Sequence, residues 1–152
     1  MKGRLIMAAV AAAVLVAVPG ASAAKGGRSL PALVDAHIAA LRACDADALV
    51  AGYTADAKLF FPDGTVVQGR AALQELYDGF VKPVSEGGLC GLDAAPVDRF
   101  TQGRTTFVKF RVTAPFLSAP YFSTDGYVFR GRKIASEVST FDSSKLQFTP
   151  SG

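Results

Sequence analysis

The chain has 152 residues, half of them apolar, with 16 Lys plus Arg against 13 Asp plus Glu and a single histidine, which is room for one domain around one core. No run of five like charges occurs, so the sequence offers neither a nucleic-acid surface nor a polybasic membrane patch. One histidine and two distant cysteines give no zinc-ligand spacing, and no GxSxG, Walker or GxGxxG motif is present, which leaves metal, hydrolase-triad, nucleotide and dinucleotide chemistries without support.

Met1-Lys2-Gly3-Arg4 is a short basic segment, followed by an uninterrupted apolar run from Leu5 to Val18, then Pro19-Gly20 and Ala21-Ser22-Ala23. This is the order of a secretory signal peptide with an A-x-A cleavage site, and the run is shorter than the ~20 residues that span a bilayer. The expectation is a signal peptide over 1–23, cleaved after Ala23, and a secreted or periplasmic product with no membrane attachment; a retained anchor is the alternative. Loss of Lys2 and Arg4 leaves 14 basic against 13 acidic residues, a formal charge of +1. In an exported chain Cys44 and Cys90 either form a disulfide, the one intrachain pairing two cysteines allow, or remain two small buried hydrophobes.

Ser29 suits a helix N-cap and Pro31 the first turn behind it. Leu33, His37 and Leu41 follow at helical spacing beside Val34 and Ile38, so His37 lies on or next to the buried stripe. The helix breaks near Cys44-Asp45. Asp45 caps a short second helix through Leu49, Val50 and Tyr53, which makes Tyr53 a packing residue closing that apolar face. Lys58 to Phe61, the turn Pro62-Asp63-Gly64 and Thr65 to Val67 read as a hairpin. Leu73, Leu76, Tyr77 and Phe80 then mark a third amphipathic helix, ended by Pro83.

The rest is strand-like. Pro96 makes Leu92 to Phe100 an edge or bulged strand. Val108, Phe110 and Val112 alternate with Lys109 and Arg111 in a half-buried strand, with Phe110 a core residue. Tyr121 to Phe129 and Lys133 to Phe141 form a last hairpin around Arg130-Gly131-Arg132. Helices first and antiparallel strands afterwards is an α+β order with no βαβ repeat.

The central stretch, in Asp45, Ala48-Leu49, Tyr53, Asp56-Ala57, Phe61-Pro62, Gly64, Gly69-Arg70 and Ala72, resembles the family of nuclear transport factor 2, ketosteroid isomerase and the SnoaL-like polyketide cyclases. The resemblance implies a cone-shaped barrel in which a curved, mainly antiparallel sheet wraps around N-terminal helices. It implies a single domain over 24–152, with its core at about 30–142, and a deep, mostly apolar pocket. The isomerases carry their base directly before the proline of the first hairpin; the residue there is Phe61, which cannot accept a proton. His37 matches the isomerase tyrosine on the first helix, and Asp125, ahead of Tyr127 and Phe129, matches the aspartic acid of the oxyanion site.

His37 and Asp125 are therefore the candidate acid–base pair, with Tyr53, Phe61, Tyr127, Phe129 and Glu137 as candidate pocket residues. In a dry pocket His37 is expected to be the one group exchanging a proton near neutral pH. Simpler structural readings stand beside these: Asp125-Gly126 as a solvated turn, His37 as a hydrogen-bonded core residue, and Glu137 on a solvated outer strand face. Two functions remain open: an exported, cofactor-free acid–base enzyme (isomerase, cyclase, dehydratase or hydrolase) on a small apolar molecule, or a non-catalytic ligand-binding or interaction module. A homodimer through the uncovered sheet face is the expectation from the family, against which Lys109 and Arg111 weigh.

Overall fold

A computed structural model describes residues 29–150; the signal-peptide expectation over 1–23 lies outside them. Helix α1 (Leu30–Arg42) begins where Ser29 Oγ accepts from the Ala32 amide, with Pro31 in the first turn. It ends before Cys44, whose φ of 52° turns the chain. Asp45 caps α2 (Ala46–Ala51) by accepting from the Ala48 amide at 2.9 Å. Gly52 terminates this helix, so Tyr53 does not close its apolar face as the spacing suggested. Tyr53 opens strand β1 (Tyr53–Phe60) instead. A tight turn leads to β2 (Val66–Gln68), and α3 (Arg70–Phe80) follows with Leu73 and Tyr77 buried.

Strands β3 (Asp93–Gln102), β4 (Thr105–Thr113), β5 (Tyr121–Arg130) and β6 (Lys133–Val138) complete one six-stranded sheet in the order β2-β1-β6-β5-β4-β3. All neighbours are antiparallel except β1 and β6, which run parallel. This is the α+β class that the element order predicts and the curved-sheet cone that the resemblance implies. β3 is an edge strand, and its register shifts between Pro96 and Asp98, as Pro96 requires. Asp125-Gly126 is not a turn. It sits mid-strand, with Gly126 opposite Phe107, and a Cβ on Gly126 would come within 2.8 Å of that ring.

The sheet curls so that one face packs on α1, α2 and α3. Val34, Ile38, Leu49, Tyr53, Leu73, Val108, Phe110, Tyr127, Phe129 and Ile134 form the centre of the core. Cys44 and Cys90 are joined in a disulfide that ties the end of α1 to the loop before β3. Arg42 reinforces the tie, its Nε on Asp93 at 2.5 Å and a guanidinium NH on the Ala94 carbonyl at 3.2 Å. By the chain-entropy argument a bridge closing this loop contributes about 4 kcal/mol. Among the described residues no helix is long and apolar enough to cross a membrane.

Candidate functional site

Strand alternation in β5 sends Ser123, Asp125, Tyr127 and Phe129 inward and leaves Phe122, Thr124 and Val128 exposed. In β6 the alternation breaks. Phe129 opposes Ile134 but Val128 opposes Ser136, so Ala135 is an extra residue and both Ile134 and Glu137 point inward. Glu137 is therefore buried, not on a solvated outer face. It lies between Leu59 of β1 and Tyr127 of β5.

These side chains wall a largely apolar cavity of about 80 Å³ between the sheet and helices α1 and α3. Its walls include His37, Leu41, Phe61, Tyr77, Phe110, Asp125, Tyr127 and Glu137. His37, Phe61, Asp125, Tyr127 and Glu137 thus share one cavity, whereas two other candidates do not reach it. Tyr53 is fully buried behind the wall, because as the first residue of β1 it points into the core under α3. Phe129, one inward step beyond Tyr127, packs beneath α1 and lines a separate cleft with Leu33, Ala48 and Lys133. Phe110 walls the cavity as well as packing in the core.

Two carboxyl groups dominate the electrostatics. Burial raises Asp125 to a pKa of about 6, while Ser139 and the Thr140 amide hold it down. Both of these donate to one oxygen, Oδ1, at 3.0 and 3.1 Å. Burial, then the charge of Asp125, raises Glu137 to about 8. Glu137 Oε2 accepts from the Tyr53 hydroxyl, which lies 2.6 Å from the Tyr77 hydroxyl, so the tyrosines form a donor chain ending on the carboxyl. Near neutral pH, Asp125 is mostly ionised and Glu137 mostly protonated. Their environments push two like groups to opposite sides of neutrality, the pattern that separates a base from an acid.

His37 behaves differently from its expectation. Its ring stands edge-on to Tyr53, Tyr77 and Tyr127, with centroids 5.6, 6.1 and 5.9 Å away, and Nδ1 is buried with no partner among the described residues. Burial lowers its pKa to about 4, so it is neutral at pH 7 and does not exchange a proton there. The groups titrating near neutrality are the two carboxyls. Sequence reasoning gave no role to Tyr77, Ser123 or Ser139. Ser139 carried a signal, since it shares a strand face with Glu137; Tyr77 carried none, being one apolar-stripe residue among four. Among the described residues no group of three His, Cys, Asp or Glu side chains could hold a metal ion.

The family model of the SnoaL-like domain matches residues 34–137, more than half of the chain. The chain belongs to the SnoaL-like family. No curated protein matches this SnoaL-like chain. Solved structures agree on the fold. SalBIII, an epoxide hydrolase/cyclase-like enzyme of pyran ring formation in the polyether salinomycin, superposes with a TM-score of 0.62 at 18% identity, over 78% of this chain and 95% of that one. A hypothetical protein of ketosteroid isomerase-like fold from Catenulispora acidiphila, in complex with trimethylamine, gives 0.59 at 15%, over 78% and 91%. TerC, co-crystallised with polyporic acid, gives 0.59 at 19%, over 75% and 92%. At these identities the likeness is one of fold alone.

Proposed function

We propose that this SnoaL-like protein catalyses a cofactor-free proton transfer, an isomerisation or ring closure, on a small and largely apolar molecule. Asp125 is the base and Glu137 the acid. The observation that carries this reading is the pair of carboxyl groups on one apolar cavity with pKa values of about 6 and about 8. Asp125 Oδ1 is taken by Ser139 and Thr140, which leaves Oδ2 to accept a proton from a carbon or hydroxyl of the substrate. Glu137 accepts from Tyr53 through Oε2, which leaves Oε1 to carry the acid proton and donate it to the oxygen on which charge develops. His37, neutral, is part of the same cavity wall. The role of SalBIII in pyran ring formation and the co-crystal of TerC with polyporic acid are consistent with a pocket of this kind.

α-Proton exchange of cyclohexanone in D2O, followed by NMR, tests the chemistry without a physiological substrate. The expected result is an acceleration with a bell-shaped pH profile whose limbs lie near 6 and 8. Asp125→Asn and Glu137→Gln should each lower the rate by about 10²- to 10⁴-fold. Phe61, which stands where the isomerase base would be, favours a second reading, a pocket that binds without reacting. Cyclohexanone bound but not exchanged faster than in buffer would establish it.

We also propose that the protein works outside the reducing cytoplasm. The Cys44–Cys90 bridge supports this, since such bridges persist in oxidising compartments. The intact mass of the exported form should correspond to a chain beginning at Ala24; a species retaining Lys2 would refute the cleavage.

A further inference from the structure

The buried cavity does not stand alone. Phe61, Leu76, Phe80 and Phe141 wall it on one side and on their other side line an outer cleft of about 700 Å³. The Phe80 and Phe141 rings meet edge to face with centroids 5.8 Å apart, so an aromatic collar separates a small inner chamber from a much larger outer one. The inner chamber, at about 80 Å³, is well under the ~300–1,000 Å³ of pockets that enclose a whole drug-sized molecule. It takes one ring-sized group and no more.

The outer cleft has its own chemistry. Among the described residues, its charged lining residues are Asp63 and Asp142, with no Lys or Arg. Both carboxylates are fixed by local donors: Asp63 by the Thr65 amide at 2.8 Å and hydroxyl at 3.0 Å, Asp142 by the Ser144 amide at 3.0 Å and hydroxyl at 2.6 Å. The Thr65 donors hold Asp63 below the usual carboxylate range, so it stays ionised. Gly79 lines the same cleft from within α3, where glycine is the weakest helix former after proline. A Cβ there would meet nothing within 4 Å. The position thus gives up helix propensity, and a side chain there would project into open space.

We propose that the ligand of this site has two parts: a ring-sized apolar head in the buried cavity, and a chain that passes the Phe61, Leu76, Phe80 and Phe141 collar into the outer cleft and ends there in an amine. A carboxylate or phosphate at that end would face Asp63 and Asp142, and no Lys or Arg among the described residues lines the cleft to receive it. The inference rests on the cavity being the ligand site, as proposed above, and adds the length and outer charge of what it takes.

Calorimetry at pH 7 with p-cresol, 4-hexylphenol, and the ω-amino and ω-carboxy analogues of 4-hexylphenol tests it. The expected result is 4-hexylphenol bound at least about tenfold more tightly than p-cresol, since the chain buries further methylenes. The amine should exceed the acid by about threefold or more at low salt, and Asp142→Asn should shrink that difference. Gly79→Phe, which places a ring where Gly79 lines the cleft, should lower the ratio of 4-hexylphenol to p-cresol affinities. p-Cresol binding with no gain from the chain would overturn the inference and leave the cavity reading standing. A gain that Gly79→Phe leaves undiminished would overturn it by showing the chain elsewhere, and equal binding of amine and acid would overturn the charge assignment. Binding by no probe would remove both the inference and the reading beneath it.

Discussion

Each face of the sheet carries side chains that its setting disfavours: polar groups within the buried apolar core on the inner face, and apolar groups among exposed charges on the outer. The inner face, under the helices, carries Ser123, Asp125, Glu137 and Ser139, all buried. The outer face carries Val97, Phe100, Phe107, Phe122, Val128 and Val138, each between 41% and 60% exposed, with Lys109 and Arg111 among them. Burying carboxyls opposes folding, and aromatics left exposed contribute little to it, so neither arrangement is explained by stability. On the function proposed above, the inner face keeps its polar groups for a ligand. The outer face is an apolar patch of the kind that marks a protein contact, and we propose that it receives a second copy of this chain. Lys109 is less of an obstacle than its charge suggests: its ammonium already lies 5.7 Å from the centre of the Phe122 ring, a cation–π contact that an interface can keep.

The largest expected effect separates cavity from core within the inner face. Leu73→Asp buries a charge where nothing is accessible and should cost several kcal/mol, about 4 or more, leaving no cooperative thermal transition. Phe61→Asp, on a half-buried position open to both chambers, should cost about 2 kcal/mol or less. Equal, severe loss in both variants would mean that Phe61 lines no accessible space. The control is Leu73 because Phe110, though core, is itself a cavity wall.

Next in size, a Cys44→Ser, Cys90→Ser double variant should lose about 4 kcal/mol in denaturant titrations, since the bridge holds the inner covering layer against β3. The outer face, which depends on none of this, should keep its exposed aromatics unchanged in surface labelling.

A smaller effect reads the buried carboxyl directly. Glu137 has its folded pKa raised to about 8, so the folded state holds a proton that the unfolded chain has already released. Stability must therefore fall as pH rises between the unfolded value and 8. His37 works in the opposite sense below about 6.5, since its folded pKa of about 4 makes the native state resist protonation. Asp125 contributes little above its own value of about 6. The clean window is pH 6.5 to 8, where wild type should lose about 1–2 kcal/mol and Glu137→Gln should lose almost nothing. Equal slopes in the two proteins would show that Glu137 is ionised when folded.

The smallest effect on stability belongs to the outer face. Phe107→Lys should change the unfolding free energy by about 1 kcal/mol at most, yet turn a dimer at micromolar concentration into a monomer in sedimentation velocity. Wild type sedimenting as a monomer would end the idea.

The fold was legible because its signals are local. Ser29 and Asp45 are caps, the α3 stripe has a helical period, and Pro96 belongs on an edge strand. The site was legible only in part. His37 and Asp125 were found through the family, but the direction of the His37 shift depends on the three tyrosine rings around it, which meet only in three dimensions. Glu137 shows why strand alternation can mislead. Ile134 and Val138 vote for one face and Glu137 for the other, until one extra residue, Ala135, turns Ile134 inward while Val138 stays 51% exposed. Tyr53 was misread because Leu49 and Val50 set a helical rhythm that Gly52 stops one residue earlier.

The parallel pairing of β1 with β6 has a kinetic consequence. Until β6 arrives, the sheet is two separate pieces, the β1–β2 hairpin and the β3–β4–β5 meander, and neither touches the other through a strand. The last strand in the chain is the middle of the sheet, and it brings Glu137 with it. Closure therefore requires contacts between residues about eighty positions apart, such as Leu59 with Glu137, which puts folding in the slow, milliseconds-to-seconds class of roughly similar topologies. Glu137 enters only with the strand that joins the two pieces of the sheet, so a partly folded chain has Asp125 and part of the pocket wall but lacks the second carboxyl.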